Sequence, residues 1–549
     1  MTQTPPDPNQ QQPDQPQQPQ QPVQPVSPYA PQQPQELQAQ QPPQPPQGPV
    51  GDDDAWMTEP GQPRKRGLAM WLVPAVVVAG VLGLGGGGYF VYTALAGGGD
   101  QPSTVIPGNA IGYLRIDADP SLGQKIAAVR FLNKVPQIKD AGLGSGDWRK
   151  KMVDQLRKSD DAGTLKGIDY DKDIAPWLGD KVAVAALPPA SGKEPTVVFA
   201  LQVKDEAQAK SGIEKLSKDA TASDITFRDG YALITEKGKA AEVTTALDKG
   251  SLATNTDFTA DMEALGEQGV LSGWADLKSV AKFGNGNSTA AVQDQLDKLG
   301  RVAFALRFGT DHIELAGVGR GALTLKSLSG SGASRIGTLP ADTVAALSIS
   351  GADQIVDQAW KAFNDNSAAL GAQGDDIKAQ IKGLEQQLGI TIPDDLKTLL
   401  GKRLVISAPE QDFSGETIPS VGLVVTTDAQ KAEQTIAKLE RAMSDQGQEL
   451  PLKHRADGTT FYAATTQSYL DELSKGGKLG ESETFKLALP NAADETFAAY
   501  VDLDKLEKLY AADVPADQRD LITGLRAIGL SVSVKDDGNS RFSLRIVGN

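Results

Sequence analysis

Trp177-Leu178-Gly179-Asp180-Lys181 leads into the apolar run Val182 to Leu187, and Leu399-Leu400-Gly401-Lys402-Arg403 leads into Leu404 to Ser407. The same phrase occurs twice, and the correspondence extends outward in both directions. Upstream, Ile106-Pro107-Gly108-Asn109-Ala110 precedes a strand through Tyr113 and Leu114, and Leu339-Pro340-Ala341-Asp342-Thr343 precedes one through Ala346 and Leu347. Downstream, Pro195 to Val203 reads as a strand followed by an amphipathic helix through Ala209, Ile213 and Leu216. Pro419 to Val425 repeats this, with Ala432, Ile436 and Leu439. Phe258 follows a Thr-Asn-Thr-Asp turn and Phe485 follows Ser482-Glu483-Thr484, while Trp274-Ala275-Asp276-Leu277 matches Tyr500-Val501-Asp502-Leu503. Two alternating strands close each half: Val302 to Phe308 with Ile313 to Val318, and Leu530 to Val534 with Phe542 to Val547. One element order recurring at nearly constant spacing is the signature of an internal duplication.

Period-two alternation predicts strands, and the 3.6-residue period predicts the helices between them. Arg228-Asp229-Gly230 between Ile225–Phe227 and Tyr231–Ile234 is a hairpin turn, which implies antiparallel pairing. Arg455-Ala456-Asp457-Gly458 holds the equivalent place. Each half therefore reads as α+β, with helices on one face of a mainly antiparallel sheet. Residues 353–400 read as largely helical, ending near Gly401. The Ser/Gly-rich stretch at 327–336 divides repeat 1 (97–326) from repeat 2 (337–549).

Ahead of the duplication lies the uncharged run Leu68 to Tyr92, preceded by Arg64, Lys65 and Arg66. About 20 apolar residues span a bilayer, so residues 64–96 are expected to form a basic flank and a transmembrane helix. Trp71, Tyr89 and Tyr92 suit the two interfaces, and Pro74 and the Gly85–Gly88 block are tolerated in membrane helices. After the run the first basic residue is Arg115, so the positive-inside rule places the N-terminus in the cytoplasm and the C-terminal region outside. A cleaved signal peptide ending near Ala94-Leu95-Ala96 is the competing reading; the long preceding region and long apolar core argue against it. Residues 1–63 are dominated by Pro and Gln and are too poor in branched apolar residues to offset chain entropy. They read as a disordered tail, either a solvated spacer or a polyproline II ligand for a cytoplasmic partner.

The 549 residues carry a net charge of -16 and no cysteine. That balance excludes a basic nucleic-acid binder, and the missing thiols exclude disulfides, a lipoprotein anchor and Cys-bound metal. The catalytic inventory is thin. His312-Ile313-Glu314 puts two ligand types on one strand face, which reads as a solvent-facing strand edge, and His454 lies in a polar stretch. Asp117/Asp119 and Asp502/Asp504 read as helix-capping acids at strand-to-helix junctions, while Gly83, Gly85 and Gly88 mimic a dinucleotide motif without its strand–turn–helix context. No Gly-x-Ser-x-Gly elbow occurs. No catalytic, cofactor-binding or metal-ligating residue emerges, and no cofactor is expected.

With its Ile106-Pro107-Gly108-Asn109-Ala110 opening, its Leu-Gly-Asp/Lys turns at 178–180 and 400–402 and its Trp274/Asp276 element, the chain resembles the bacterial membrane proteins grouped as the domain-of-unknown-function 3352 family. The tail-plus-helix layout resembles that of actinobacterial envelope proteins. This resemblance implies localisation and architecture but no activity. The expectation is a non-enzymatic, single-pass envelope protein that binds a protein or lipid ligand outside. Two alternatives stand beside it: a carrier of lipid or envelope precursor with an apolar cavity between or within the halves, and an envelope hydrolase with dispersed residues.

Overall fold

The structure is a computed structural model that describes residues 101–134, 147, 149–150, 153–154, 157, 165–189, 194–216, 223–284, 300–321, 334–367, 372–411, 419–510, 523–535 and 539–549. The Pro/Gln tail, the run Leu68 to Tyr92 and most of the 327–336 boundary lie outside the described residues. Among those described, no helix is long and apolar enough to cross a membrane.

Repeat 1 contributes β1 (Gly112–Asp117), β2 (Leu178–Leu187), β3 (Thr196–Val203), β4 (Ser223–Arg228), β5 (Tyr231–Glu236), β6 (Leu271–Asp276), β7 (Arg301–Phe308) and β8 (His312–Arg320). Repeat 2 contributes β9 (Thr343–Ser350), β10 (Arg403–Pro409), β11 (Gly422–Thr426), β12 (Lys453–Asp457), β13 (Thr460–Ala464), β14 (Phe497–Asp502), β15 (Leu525–Val534) and β16 (Ser540–Gly548). The two halves do not form separate sheets. All sixteen strands join in one, in the order β12-β13-β11-β10-β9-β14-β15-β16-β8-β7-β6-β1-β2-β3-β5-β4, and every described pairing is antiparallel.

The order is a palindrome of the two repeats, joined where β8 pairs with β16. The ladders fix the equivalence residue by residue. In repeat 1, Tyr113 lies opposite Trp274, Trp274 opposite Ala303, and Ala303 opposite Val318. In repeat 2 the same row runs Ala346, Tyr500, Gly529, Arg545. Val318 thus corresponds to Arg545 and Ala316 to Ser543, and Ala316 is itself paired with Ser543. A local two-fold axis passes through that pair.

The strands alternate as expected, but helices cover both faces of the sheet rather than one. Val198 and Ala200 belong to a core closed by the helices Ala240–Asp248 and Thr256–Leu265. Phe199, between them, points the other way into a cluster with Ala209 and Ile213 of the helix Glu206–Leu216. The helix Leu122–Leu132 covers more of that second face through Ala128 and Phe131. Repeat 2 does the same: Tyr462 and Ala464 pack under the helices Gln467–Lys475 and Glu483–Ala488, and Phe461 and Ala463 under Ala429–Ser444. A run such as Val198-Phe199-Ala200, apolar at every position, is what two-sided burial requires. The aromatic anchors are also duplicated. Phe258 meets Trp274 edge-on at 5.8 Å, and Phe485 meets Tyr500 at 5.0 Å.

Local geometry follows the sequence closely. Asp229 (φ 48°) and Gly230 (φ 76°) form the two-residue turn between β4 and β5, the arrangement that favours Asp-Gly in tight hairpins. The helices Ala352–Ser367, Ala372–Leu388 and Asp394–Leu400 fill the segment read as helical, and Gly401 ends the last of them at φ 60°.

The join at β8 and β16 has a measurable consequence. Residues 97–326 alone would expose β8 as an edge, and an unpaired edge templates pairing with another chain. This fragment is expected to dimerise or aggregate through β8, whereas the full chain stays monomeric at the same concentration. Light scattering coupled to size exclusion distinguishes the two.

Candidate functional site

The palindrome places the equivalent helices Thr256–Leu265 and Glu483–Ala488 on the same sheet face, either side of the β8–β16 pair. Between them is a cavity of about 190 Å³. Its floor is Glu314, Ala316 and Val318 of β8 with Arg541, Ser543 and Arg545 of β16, flanked by Arg307, Ser531 and Ser533; its walls are Ala264, Leu265, Pro490, Asn491 and Glu495. A second cavity of about 110 Å³ shares Ala264, Val318 and Arg541 with it and adds Arg320, Lys535, Asn539 and Ser540. Together they form one groove across the seam.

Glu314 organises the floor. It is buried and accepts hydrogen bonds from Arg307 Nε (2.6 Å), Ser543 Oγ (2.6 Å) and Arg545 Nε (2.9 Å). Its donors come from both repeats, so its carboxylate ties them together. The arginines also reach the helix ends, where carbonyls lack intrahelical partners. Arg307 Nη1 donates to the Leu265 carbonyl at 3.4 Å and Arg545 Nη1 to the Leu487 carbonyl at 3.3 Å. Burial by itself would raise the Glu314 carboxyl, but the Ser543 hydroxyl and the Arg307 and Arg545 guanidiniums outweigh it and hold the group at about 2. Arg320 is held differently: its Nε donates to Asp261 at 3.1 Å, and the fully buried Asp261 also accepts from Arg301 Nε and Trp274 Nε1.

The lining of the groove counts five cations, Arg307, Arg320, Lys535, Arg541 and Arg545, against two acids, Glu314 and Glu495. In a chain of net charge -16 this is a local reversal of sign. Arg541 is exposed, and among the described residues its side chain makes one long hydrogen bond, 3.4 Å to the Ala264 carbonyl. Such a surface attracts anions, and guanidiniums match carboxylates and phosphates in shape as well as charge. The cavity between the halves therefore has a mixed lining, with charged side chains on its floor beside apolar walls such as Leu265 and Pro490.

The residues singled out from the sequence fall elsewhere or change role. His312 and Glu314 do share a face of β8, but that strand is central, paired on both sides, and Glu314 is buried; the solvent-facing edge expected for them is corrected. His454 does lie on an edge strand, stacked on Phe461 and placed between Glu433 (3.7 Å) and Glu440 (3.3 Å). Asp502 caps a helix as expected, accepting from the backbone N–H of Lys505 at 3.2 Å. Asp117 does not: it accepts from the N–H of Asp119, and the next helix is capped by Ser121. Among the described residues no group of three or more His, Asp or Glu side chains is placed to hold a metal ion. The groove escaped the sequence reading because its cations come from four separate strands or turns. The one local sign is Arg541-x-Ser543-x-Arg545, three polar residues on one face of an otherwise apolar strand.

The family described as Protein of unknown function (DUF3352) matches residues 72–265 and again 248–456. The chain belongs to this family. The two successive matches agree with an internal repeat, although their limits differ from those of the structural halves. No curated protein matches the sequence. Among solved structures, the chain is 11% identical to one described as TP0453, crystal form I, with 41% of this chain and 80% of that one covered and a TM-score of 0.20, too low to bear on the fold.

Glu495 provides a pH-dependent handle on the groove. Burial, with a smaller push from Asp494 and against the Ser531 hydroxyl, raises its carboxyl to about 7, above the roughly 4.3 of an unfolded chain. Between those values the folded state binds more protons, so stability falls as pH rises through this window. Glu495→Gln is expected to remove that slope, with its melting temperature gaining on the wild type from pH 5 to pH 8 in thermal circular dichroism.

Proposed function

We propose that this chain is a non-catalytic binding protein of the bacterial cell envelope, of actinobacterial type. Leu68 to Tyr92 anchors it in the membrane, the Pro/Gln tail lies in the cytoplasm and residues 97–549 lie outside. The seam groove holds an anionic ligand, a phosphate- or carboxylate-bearing group presented by an envelope molecule. The observation that carries this reading is the excess of cations lining a groove that exists only where the two repeats meet. The Glu314 network supports it, because it fixes Arg307 and Arg545 in place before any ligand arrives, and pre-organised donors lose less entropy on binding.

A second reading, the lipid carrier, draws on the opposite face of the sheet. There Phe304, Leu315, Leu530, Phe542 and Leu544, from four neighbouring central strands, are only partly buried. Apolar area of this kind can meet a lipid or a partner protein, though it lies on the other side of the sheet from the groove.

Two measurements test these claims. For the groove, pyrophosphate titrated calorimetrically into the full chain in neutral detergent should bind, and binding should weaken as salt rises. Replacing Arg541 and Lys535 together by Ala should lower the affinity about tenfold or more, since hydrogen bonds to charged groups contribute about 1.5–3 kcal/mol each. Heat release that is absent, or indifferent to both substitutions, sinks the groove as an anion site. For the topology, the cysteine-free sequence permits single-cysteine labelling. In intact cells an impermeant maleimide should modify Thr310→Cys, on the exposed β7–β8 turn, and spare Thr2→Cys.

A further inference from the structure

The seam groove is not charged evenly along its length. Its smaller cavity, of about 110 Å³, is lined by three cations, Arg320, Lys535 and Arg541, and by no carboxylate among the described residues. Arg320 ends β8, Arg541 lies in β16 and Lys535 follows β15, so three neighbouring strands each bring one. A solute can reach all of them: the Arg320 side chain is 27% exposed, and Lys535 and Arg541 are exposed. Elsewhere in the groove the cations are answered, since Arg307 and Arg545 each give their Nε to Glu314. Here the Lys535 ammonium makes no hydrogen bond or ion pair among the described residues, and Arg541 makes only its long bond to the Ala264 carbonyl. Arg320 is aimed by a buried anchor. Its Nε donates to Asp261 at 3.1 Å, and its two Nη groups donate to no described residue. The same carboxylate accepts from Arg301 Nε at 2.8 Å and Trp274 Nε1 at 2.9 Å.

The duplication supplies an internal control. By ladder register Arg320 corresponds to Val547, Arg301 to Ala527, Arg541 to Glu314, and Lys535 to Gly309. Asp261, three residues after Phe258, corresponds to Ala488, three after Phe485. Repeat 2 thus fills the place of Asp261, Arg301 and Arg320 with Ala488, Ala527 and Val547, all buried. The fold does not need a carboxylate and two guanidiniums there, and a buried carboxylate is costly until it is paired. What the ionic set does that two alanines and a valine cannot is hold a guanidinium at the mouth of the corner with its fork free. The turn that carries Asp536 and Asp537 beside Lys535 lies outside the described residues.

We infer that this corner is the subsite that selects the ligand of the seam groove, and that the ligand is a phosphomonoester whose terminal phosphate sits among Arg320, Lys535 and Arg541. The inference rests on reading the groove as an anion site and narrows that reading to one chemical class. A phosphomonoester presents three free oxygens and a charge of about -1.5 to -2 at neutral pH, so each of the three cations can meet an oxygen of its own. A carboxylate has two oxygens in one plane and a single charge, and a phosphodiester likewise has two free oxygens and a single charge. The cavity is far smaller than the roughly 300 Å³ at which sites for whole small molecules begin, so it takes one group of a larger molecule. The rest of that molecule has the wider cavity, where Ser533, paired with Arg541, leads on to Ser531 and Asn491. These uncharged polar side chains suit a polar body and add no second anion site.

The test is calorimetric titration of the full chain in neutral detergent. The probes are glycerol 3-phosphate, dihexanoyl phosphatidic acid, dimethyl phosphate and acetate, with pyrophosphate as the general probe of the groove. At least one of the two monoesters should bind tenfold or more tighter than dimethyl phosphate and acetate, and the tighter of the two tells a soluble source from a lipid-borne one. Arg320→Gln should lower monoester affinity about tenfold. The combination Asp261→Ala, Arg301→Ala and Arg320→Val should do the same; it gives repeat 1 the side chains of repeat 2 and strands no buried charge, so its melting temperature reports the fold separately. Asp536→Asn with Asp537→Asn should leave binding unchanged or tighter. Monoesters that bind no better than dimethyl phosphate, affinities equal in the wild type and both Arg320 variants, or binding lost when Asp536 and Asp537 are neutralised would each overturn the inference. If pyrophosphate still binds in any of those cases, the groove stands as an anion site and only the subsite falls; if no anion binds, both fall.

Discussion

The pairing of β8 with β16 is the constraint on which the rest of this molecule depends. Each repeat, taken alone, ends in a strand with one unpaired side. Joining those sides turns two edges into the centre of a sixteen-stranded sheet and sets the two equivalent helices face to face. Backbone hydrogen bonds supply the join, but they do not select its register. The buried Glu314 carboxylate does more of that, since its donors Arg307, Ser543 and Arg545 converge only at one alignment of the strands. Removing one member of a buried ionic set generally costs more than the set contributed, because the remaining charge is left without a partner.

Much of the architecture was legible in the sequence because it is local. Strand alternation, the Asp229-Gly230 turn and the glycine that ends the helix before β10 are each decided within a few residues. The duplication was visible for the same reason, as a list of local features met twice. The meeting of the halves was not, because nothing near Glu314 in sequence announces a partner more than two hundred residues away. Two-sided helix cover was missed because small residues such as Ala200 and Ala463 look undemanding in a sequence, yet they are the positions over which helices pack closely. The site residues show the same divide. The common face of His312 and Glu314 follows from strand period, whereas the burial of Glu314 depends on a neighbouring strand no local pattern names.

Divergence between the repeats is as informative as their likeness. The shared positions, Phe258 with Phe485 and Trp274 with Tyr500, are core anchors, and truncating such aromatics typically costs about 3–5 kcal/mol. Among the positions that differ, Val318 corresponds to Arg545 at the seam, and Arg115 and Asp117 on β1 correspond to Ser348 and Ser350, so one copy is charged where the other is neutral. The DUF3352 match ends at residue 456 and so does not reach Phe485, Tyr500 or Arg545; comparing one half with the other separates the two kinds of position within a single molecule.

The two-fold axis through Ala316 and Ser543 has one more implication. In a dimer of identical repeats every charge beside the axis would occur twice, and the groove would read the same from either end. Here Glu314 corresponds to Arg541 and Val318 to Arg545, so the two ends differ: one sets Arg541 beside Val318, the other sets Glu314 between Arg307 and Arg545. Covalent fusion has thereby given the groove a direction: an elongated guest with one charged end would lie in it one way round and not the other.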